Sequence, residues 1–442
     1  GRIVVRATLL SGREVRTEAS PSESIVDLRR RIAGLLALPA ARVSLVRGTD
    51  LLADAGAVLE SLCLEEARSG GGDVQGVLFA DVQVVLQSAT VASTEEELRG
   101  TLEDATAAVI EIPAETTIVL QPIATEIEEE YEGEMEDEAV PLHITRDTCI
   151  IGSKGSVIQQ TSCTNTGVRD ETALIVDGVS VALEGITFDF GVVRVVNGGS
   201  LRATRCYIQN GCWHADGEAS AMELHDCGVT GSIGQCIKVT DGASATVEHV
   251  KIEGGGCWSA NIEVSGSGSC LRMFDFSSTD MDGRFVFLVQ GGASLVLDRG
   301  SACRCNVAGL LAQDAGTSAL VRDVEFAGGH DMRWPRKGDG IFATSGAKVE
   351  VQGGMIRQFH CTAIAGSAAE VRLSPTHPTA LVENNFDYVQ IGSGRIVGIA
   401  ESADVHPEEE EKAEEKEEEE EEEEQEDEGQ SKREQGGCAE NP

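Results

Sequence analysis

The sequence predicts a mainly β protein built around a right-handed parallel β-helix, and two observations carry that prediction. First, a phrase of small residues around a glycine, ending on serine, recurs from Asp177-Gly178-Val179-Ser180 to Ala315-Gly316-Thr317-Ser318, with two looser copies after it. Second, the residues behind most copies alternate between apolar and polar, as in a strand with one buried face. Copies that recur about every 20 to 30 residues are typical of stacked repeats.

Each repeat has room for two or three short strands and no helix. A second apolar run precedes most copies of the phrase, for example at 192–196 and 236–239. Glycines suit the bends between strands, because they adopt positive φ without strain. The lack of a helix excludes leucine-rich and ankyrin repeats and parallel α/β sheets. The alternative is a glycine-rich antiparallel sandwich, and both the even spacing and the scarcity of Asn-Gly turns count against it.

The register of the repeats shifts at two copies. Behind Ser220 and Ser269, the apolar residues of the following strand fall one place later than they do elsewhere. This offset predicts a bend that is one residue longer in each of those two coils.

The segment ahead of the repeats predicts how the solenoid starts. Ser93-Thr94-Glu95-Glu96-Glu97-Leu98 has the pattern of a capped helix start, and strand-like runs follow at 108–114, 141–145 and 149–153. In this order of elements the chain resembles the pectin lyase-like β-helix family over residues 93–400. The resemblance implies the fold, and it implies an activity on polysaccharides only by analogy.

The residues before position 88 lack the recurrent phrase of the repeats and have a different pattern of apolar residues. They predict a hairpin, a helix and two further strands, with the strands near 2–9, 13–18, 42–46 and 78–86. Pro21-Ser22-Glu23-Ser24-Ile25, Leu38-Pro39 and the turn that begins at Val46-Arg47-Gly48 resemble the ubiquitin-like β-grasp family. No Arg-Gly-Gly ending follows the last strand, so the resemblance implies a docking module rather than a conjugated tag.

These patterns predict three regions along the chain. They are a ubiquitin-like domain at 1–88, a β-helix at 89–404 and an acidic low-complexity tail at 405–442. An acidic loop at 125–139 interrupts the first coils. The loop and the tail carry many acidic and few apolar side chains, which is the composition of disordered segments.

Composition limits the partners that we expect. A net charge of −40 argues against nucleic acid, because phosphate binding needs a clustered basic surface. No apolar stretch is long enough for a membrane-spanning helix. The 13 cysteines match no zinc spacing and suit reduced core positions. We therefore expect a cytoplasmic or nuclear protein with protein partners, with carbohydrate as a second ligand class, and without a metal or cofactor.

Three tryptophans and one long repeat predict a binding surface. The tryptophans fall at similar points of their repeats, which places three indoles along one edge of the solenoid if the register holds. The longest repeat adds a protruding loop with basic residues. The predicted binding residues are Trp213, Trp258, Arg333, Trp334, Arg336 and Lys337. The alternative is that the indoles pack over their own bends.

The sequence shows no local catalytic motif of the β-helix polysaccharide enzymes. Phe188-Asp189-Phe190-Gly191 resembles the pectin esterase nucleophile motif, but Gln313-Asp314, which resembles its partner, stands at a reversed spacing. The preferred function is a non-enzymatic protein-interaction scaffold, in which the ubiquitin-like module and the β-helix bind separate partners. The alternative is a carbohydrate-binding or polysaccharide-degrading protein, a lyase or glycoside hydrolase, which predicts carboxylates converging in a lateral cleft.

Overall fold

A computed structural model of the chain describes residues 2–9, 14–19, 28, 29, 31, 32, 35, 43–47, 50, 51, 77–86, 89–104, 107–121, 140–160, 172–232, 234–255, 260–281, 284–305, 307–328, 338–398 and 405–408. Strands make up 64% and helix 5%, and they form a parallel β-solenoid of about 11 turns that matches a right-handed β-helix. The predicted fold class is therefore confirmed. None of the helices in this part of the chain is long and apolar enough to cross a membrane.

A five-stranded sheet precedes the solenoid in sequence. Its strands are β1 (Arg2–Leu9), β2 (Glu14–Ala19), β3 (Val43–Arg47), β4 (Asp50–Leu51) and β5 (Val77–Leu86). Their order is β2-β1-β5-β3-β4, with β1 and β5 parallel and the other neighbours antiparallel. The strands thus lie close to the predicted positions.

The solenoid begins with one short helix and continues as strands. Its first elements are β6 (Thr90–Val91), helix α1 (Glu95–Glu103), β7 (Val109–Ile112), β8 (Thr117–Leu120), β9 (Leu142–Ile144), β10 (Thr148–Gly152), β11 (Val157–Gln160), β12 (Thr172–Asp177), β13 (Ser180–Glu184), β14 (Thr187–Val196), β15 (Ser200–Thr204), β16 (Tyr207–Asp216), β17 (Ala221–His225), β18 (Gly228–Ser232), β19 (Ile237–Thr240), β20 (Ser244–Glu248) and β21 (Lys251–Gly255).

The remaining elements are all strands. They are β22 (Ala260–Ser265), β23 (Cys270–Met281), β24 (Phe285–Gln290), β25 (Ser294–Cys305), β26 (Ala308–Ala312), β27 (Ser318–Gly328), β28 (Asp339–Thr344), β29 (Lys348–Gln352), β30 (Met355–Arg357), β31 (Thr362–Ser367), β32 (Glu370–Leu373), β33 (Ala380–Val382), β34 (Phe386–Ile391), β35 (Arg395–Val397) and β36 (Val405–Glu408).

Helix α1 starts as the sequence predicts. The Thr94 hydroxyl accepts the Glu97 backbone N–H at 3.2 Å, and the Glu97 carboxylate accepts the Thr94 backbone N–H at 3.2 Å. This reciprocal capping box satisfies two N–H groups that the first turn leaves without helical partners. Leu98 and Leu102 are buried, so the helix packs through one apolar face.

The chain divides into two compact units. Unit 1 comprises residues 1–238 and 243–252, and unit 2 comprises 239–242 and 253–442. Unit 1 contains three parallel ladders: β10-β13-β15-β17-β20, then β11 with the first halves of β14 and β16, then β9-β12 with their second halves. Each coil therefore has three faces, and its apolar side chains alternate inward at strand spacing.

The register shift at two copies of the phrase has a physical cause. Strands β17 and β23 begin one residue after Ser220 and Ser269, which are themselves buried. The Ser220 hydroxyl accepts the Gly198 backbone N–H at 3.2 Å, and the Ser269 hydroxyl accepts the Gly242 backbone N–H at 2.9 Å. The two hydroxyl groups thus satisfy backbone N–H groups at the bends of neighbouring coils. The late starts of β17 and β23 agree with the offset of the apolar residues in the sequence.

A second bend uses charged residues instead of glycine. One residue per coil has a positive φ there, namely Arg205, Asp226 and His249 in unit 1, and Asp275, Arg299 and Asp323 in unit 2. The left-handed conformation costs a non-glycine residue ~1–2 kcal/mol. Alternating charge offsets this cost: the Arg299 guanidinium binds the Asp275 carboxylate at 2.9 and 3.1 Å.

The core of unit 2 is aromatic. Phe287 packs edge-on against Phe276 and Phe326, with ring centroids 5.7 and 6.2 Å apart. Gly309 leaves room for this cluster, because a Cβ atom at its position would lie 2.6 Å from the Phe326 ring. At the end of the unit, β36 pairs in parallel with β34. The acidic loop 125–139 and the tail beyond 408 lie outside the described residues.

Candidate functional site

Unit 1 carries two columns of outward side chains on one face, made by β9, β12 and the second halves of β14 and β16. We call this the pocket face. The first column runs His143, Ile175, Arg194 and His214, which are register partners on successive coils. The second column lies two residues further along each strand, where Asp177 pairs with Val196.

The second column ends in another carboxylate. Val195 pairs with Ala215, so the same register places Asp216 beside Val196 and two coils from Asp177. Parallel strands lie ~4.8 Å apart, which puts the backbones of Asp177 and Asp216 roughly 10 Å from each other. Two carboxylates from non-adjacent coils thus face the same space.

The two columns enclose a pocket of about 490 Å³. Its lining residues are His143, Ile175, Asp177, Arg194, Val196, Asn197, Asp216, Gly217 and Glu218. They come from four strands, β9, β12, β14 and β16, and from two bends of the recurrent phrase, so the stacking of coils builds the site. The floor has apolar patches at Ile175 and Val196, and the walls are polar.

His143 and Asp177 form a hydrogen-bonded pair within the pocket. The His143 Nε2 atom lies 3.0 Å from the Asp177 Oδ2 atom, and the Asn197 side-chain amide donates to Asp177 Oδ1 at 2.7 Å. The hydrogen bonds from Asn197 and, second, from His143 lower the pKa of Asp177 below its ordinary value. Asp177 is therefore held as a carboxylate, and it orients the imidazole beside it.

The imidazole of His143 is open to solvent on its other side. Its side chain is 51% exposed, and Nδ1 has no hydrogen-bond partner among the residues that the structure describes. A histidine with one nitrogen fixed by a carboxylate and the other free has the arrangement of a general acid or base.

Arg194 and Asp216 form a second pair on the opposite wall. The Arg194 Nη2 atom donates to Asp216 Oδ2, while Arg194 Nε is buried and has no partner among the described residues. A buried donor left unsatisfied costs ~1–3 kcal/mol.

Glu218 completes the rim. It follows Gly217 in the bend after β16, it is exposed, and within the described part of the chain its carboxylate has no partner. The pocket thus contains three carboxylates, one guanidinium and one imidazole. Among the residues that the structure describes, no three His, Cys, Asp or Glu side chains converge in a geometry that could hold a metal ion.

The opposite kind of surface lies on the outward side of β13, β15, β17 and β20, which we call the ladder face. Arg202 binds Glu223 at 2.7 Å and His225 binds Glu248 at 2.9 Å, in each case between register partners on neighbouring coils. Here the charges of successive coils pair with each other. This face supplies matched controls for the residues of the pocket.

Trp213 does not lie on an exposed edge. Its indole is fully buried, it packs edge-on against Phe188 with the ring centroids 6.2 Å apart, and no described residue bonds to its Nε1 atom. Strand β16 turns this position inward, beside Val193 on the preceding coil. The prediction that Trp213 offers its indole to a ligand is therefore wrong.

The other residues of the predicted binding surface lie outside the described residues. They are Trp258, Arg333, Trp334, Arg336 and Lys337. As a binding surface they stay a prediction. Asp189, which sits in the esterase-like motif, accepts a hydrogen bond from the Gln159 side chain at 3.1 Å and does not line the pocket.

Comparison with known proteins finds similarity in structure but not in sequence. No family model matches the chain, and no curated protein matches it. Among solved structures, the Azotobacter vinelandii mannuronan C-5 epimerase AlgE4 A-module is 11% identical, with 73% of this chain and 98% of that chain covered and a TM-score of 0.37. An alginate lyase from Paenibacillus sp. str. FPU-7 is 9% identical, with 70% and 96% covered and a TM-score of 0.23.

These findings correct the preferred function. Two of the similar structures are named as a mannuronan C-5 epimerase and an alginate lyase, and this finding stands against the non-enzymatic interaction scaffold and with the alternative. Likeness at these identities concerns the fold, so the function rests on the residues of the pocket. The scaffold interpretation rests on the cysteine pattern, the ubiquitin-like resemblance and the lack of local motifs, whereas the acidic groups of the pocket come together from separate coils.

Proposed function

We propose that this chain is a polysaccharide-acting protein that binds a glycan in the pocket of unit 1 and transfers a proton with His143. The observation that supports the proposal is the convergence, in one pocket, of an oriented imidazole with carboxylates from neighbouring coils. Sugar chains present hydroxyl groups at short intervals and small apolar patches between them. A polar wall over an apolar floor is complementary to both.

The size and position of the pocket suit a chain rather than a single small molecule. A volume of about 490 Å³ holds one or two sugar rings. The pocket is lateral and spans four successive coils, so a longer chain can continue over the same face. The bends at Asn197 and Gly217 form its side wall and supply hydrogen-bonding groups next to the ring.

Each polar residue has a role in this proposal. His143 exchanges the proton through Nδ1, and Asp177 fixes the tautomer by accepting from Nε2. Arg194 holds Asp216 in place as a carboxylate on the far wall.

A matched pair of variants tests the proposal. The full chain is incubated with oligosaccharides of neutral, amino and uronic sugars, binding is followed by calorimetry, and products are followed by mass spectrometry. His143→Ala should lower turnover of the accepted oligosaccharide by about 100-fold or more, because general acid–base catalysis contributes that much. His225→Ala, on the ladder face, should behave like the wild type.

Two outcomes would overturn the proposal. One is that none of the oligosaccharides binds or reacts. The other is an equal loss in His143→Ala and His225→Ala, which would show that the imidazole of the pocket has no special part.

We also propose the domain boundaries that the sequence predicts. Residues 1–88 would form a ubiquitin-like domain, 89–404 the β-helix and 405–442 an acidic tail. The order β2-β1-β5-β3-β4 with a parallel central pair supports a β-grasp. Limited proteolysis of the full chain should cut first near positions 88 and 405, and an uncut chain would count against these boundaries.

A further inference from the structure

The charges in the pocket carry information about its ligand. Asp177, Asp216 and Glu218 supply three negative charges, against one permanent positive charge on Arg194. A ligand that brings its own carboxylate would add a fourth negative group to this space. The charges of the pocket therefore disfavour the binding of acidic sugars.

The existing pairs leave one carboxylate open. The Arg194 guanidinium is bound to Asp216, and Asp177 is bound by Asn197 and His143. No described residue pairs with Glu218, although it stands on the rim of the same pocket. A cationic group that entered next to Glu218 would meet a charge that no described side chain neutralises.

The bend gives a cation access to Glu218. Gly217 has a φ of +85°, and a Cβ atom at its position would have no neighbour within 4 Å. The space beside Glu218 is thus open, and no described side chain has to move before a ligand reaches the carboxylate.

We propose that the pocket accepts a cationic amino sugar, a hexose unit with a protonated amine, and that Glu218 is its specificity-determining partner. This inference rests on the proposed function. The protein's net charge of −40 would also attract a cationic polymer over longer distances, in a manner that salt weakens. Elimination requires a carboxylate on the sugar, so cleavage of an amino-sugar polymer would be hydrolytic.

In that reaction the atoms balance with water as the only co-reactant. The bond between the anomeric carbon and the bridging oxygen breaks, and a new bond forms between the anomeric carbon and the oxygen of water. One proton passes from water to a basic group of the pocket, and one passes to the leaving oxygen.

The test compares three tetrasaccharides of similar size by calorimetry at physiological salt. They are the glucosamine tetramer, the N-acetylglucosamine tetramer and the galacturonate tetramer. The glucosamine tetramer should bind the full chain most tightly. Glu218→Gln should weaken its binding by about fivefold, the effect of one exposed ion pair, and leave binding of the acetylated tetramer unchanged.

Glu248→Gln on the ladder face is the matched control, since it removes the same charge outside the pocket. If it weakens glucosamine binding as much as Glu218→Gln does, the attraction is non-specific and the inference is overturned. Tighter binding of the galacturonate tetramer that His143→Ala abolishes would overturn the amino-sugar class and leave the proposed function standing. Binding of none of the three would overturn both.

Discussion

Two faces of the same unit use the same kinds of residue in opposite ways. On the ladder face, the Arg202–Glu223 and His225–Glu248 pairs join register partners on adjacent coils, so charges cancel along the stack. On the pocket face, Asp177 and Asp216 lie two coils apart with an apolar valine between them. Both carboxylates have hydrogen-bond partners on neighbouring coils, but the valine between them leaves an apolar position that lines the pocket.

The difference teaches how a repeat protein separates structure from function. Paired charges at neighbouring rungs stabilise the stack only slightly, because exposed ion pairs contribute ~0–1 kcal/mol. Unpaired or strained groups, such as Glu218 and the buried Nε atom of Arg194, contribute nothing to the stack. On the pocket face such groups stand beside the His143–Asp177 pair in one pocket, and this combination is what distinguishes the pocket face from the ladder face.

The largest expected difference between the two faces concerns turnover. Asp177→Asn should lower turnover of an accepted oligosaccharide by about 10²–10⁴-fold, because His143 loses the group that fixes its tautomer. Glu248→Asn, which removes the carboxylate beside His225, should leave turnover unchanged. Equal turnover in the wild type and Asp177→Asn would remove the His143–Asp177 pair from the mechanism.

The next largest effect concerns the core behind the pocket face. Trp213→Ala should lower the free energy of unfolding by about 3–5 kcal/mol, because it leaves a cavity against Phe188. Tyr207→Ala, on the same strand and 47% exposed, should cost less than about 1 kcal/mol. Both are measured by denaturant unfolding. A stable Trp213→Ala protein that had lost glycan binding would restore the surface role that the sequence suggested.

These variants also mark what the sequence could and could not predict. The capping box at Thr94 and the shifted strands behind Ser220 and Ser269 could be predicted from the sequence, because each depends on residues only a few positions apart. The burial of Trp213 could not be predicted in this way. The alternation of side chains along a strand shows which residues share a face, but it does not show which face is turned toward the core. The spacing from the recurrent phrase was the wrong guide to orientation.

The pocket shows a similar limit. Asp177 and Asn197 stand at the start of two copies of the recurrent phrase, so both were visible in the sequence as bend residues. Their meeting with His143 depends on the register between coils, which includes an insertion between β8 and β9 that no repeat spacing covers. A search for adjacent catalytic residues therefore finds nothing, although the groups converge in space.

A smaller difference in oligosaccharide binding is expected between variants of Arg194 and Arg202. Arg194→Gln should weaken oligosaccharide binding by about tenfold, because Asp216 loses the partner that holds it on the pocket wall. Arg202→Gln on the ladder face should change binding by less than about twofold. Calorimetry with the same oligosaccharide measures both, and equal losses would assign the effect to overall charge rather than to the pocket.

The smallest expected effect is a change in the pKa of Asp177. The pKa of Asp177 is lowered from its ordinary value of 3.8, chiefly by the Asn197 amide. A lowered pKa means that Asp177 favours the folded state at pH values above 3.8 and loses that contribution as the pH falls through its folded pKa. Carboxyl resonances followed by NMR should give a midpoint below 3.8, which Asn197→Ala raises. An unchanged midpoint in the variant would show that Asn197 does not hold the carboxylate.

The most direct test of the central claim is to map the bound glycan onto the two faces. Hydrogen exchange of the full chain is measured by mass spectrometry with and without a saturating amount of the tightest-binding oligosaccharide. Protection is predicted at the bends around Asn197 and Gly217 and at the ends of β12 and β16, with β17 and β20 on the ladder face unchanged. Protection of the ladder face, or of neither face, would contradict the assignment of the pocket as the glycan site.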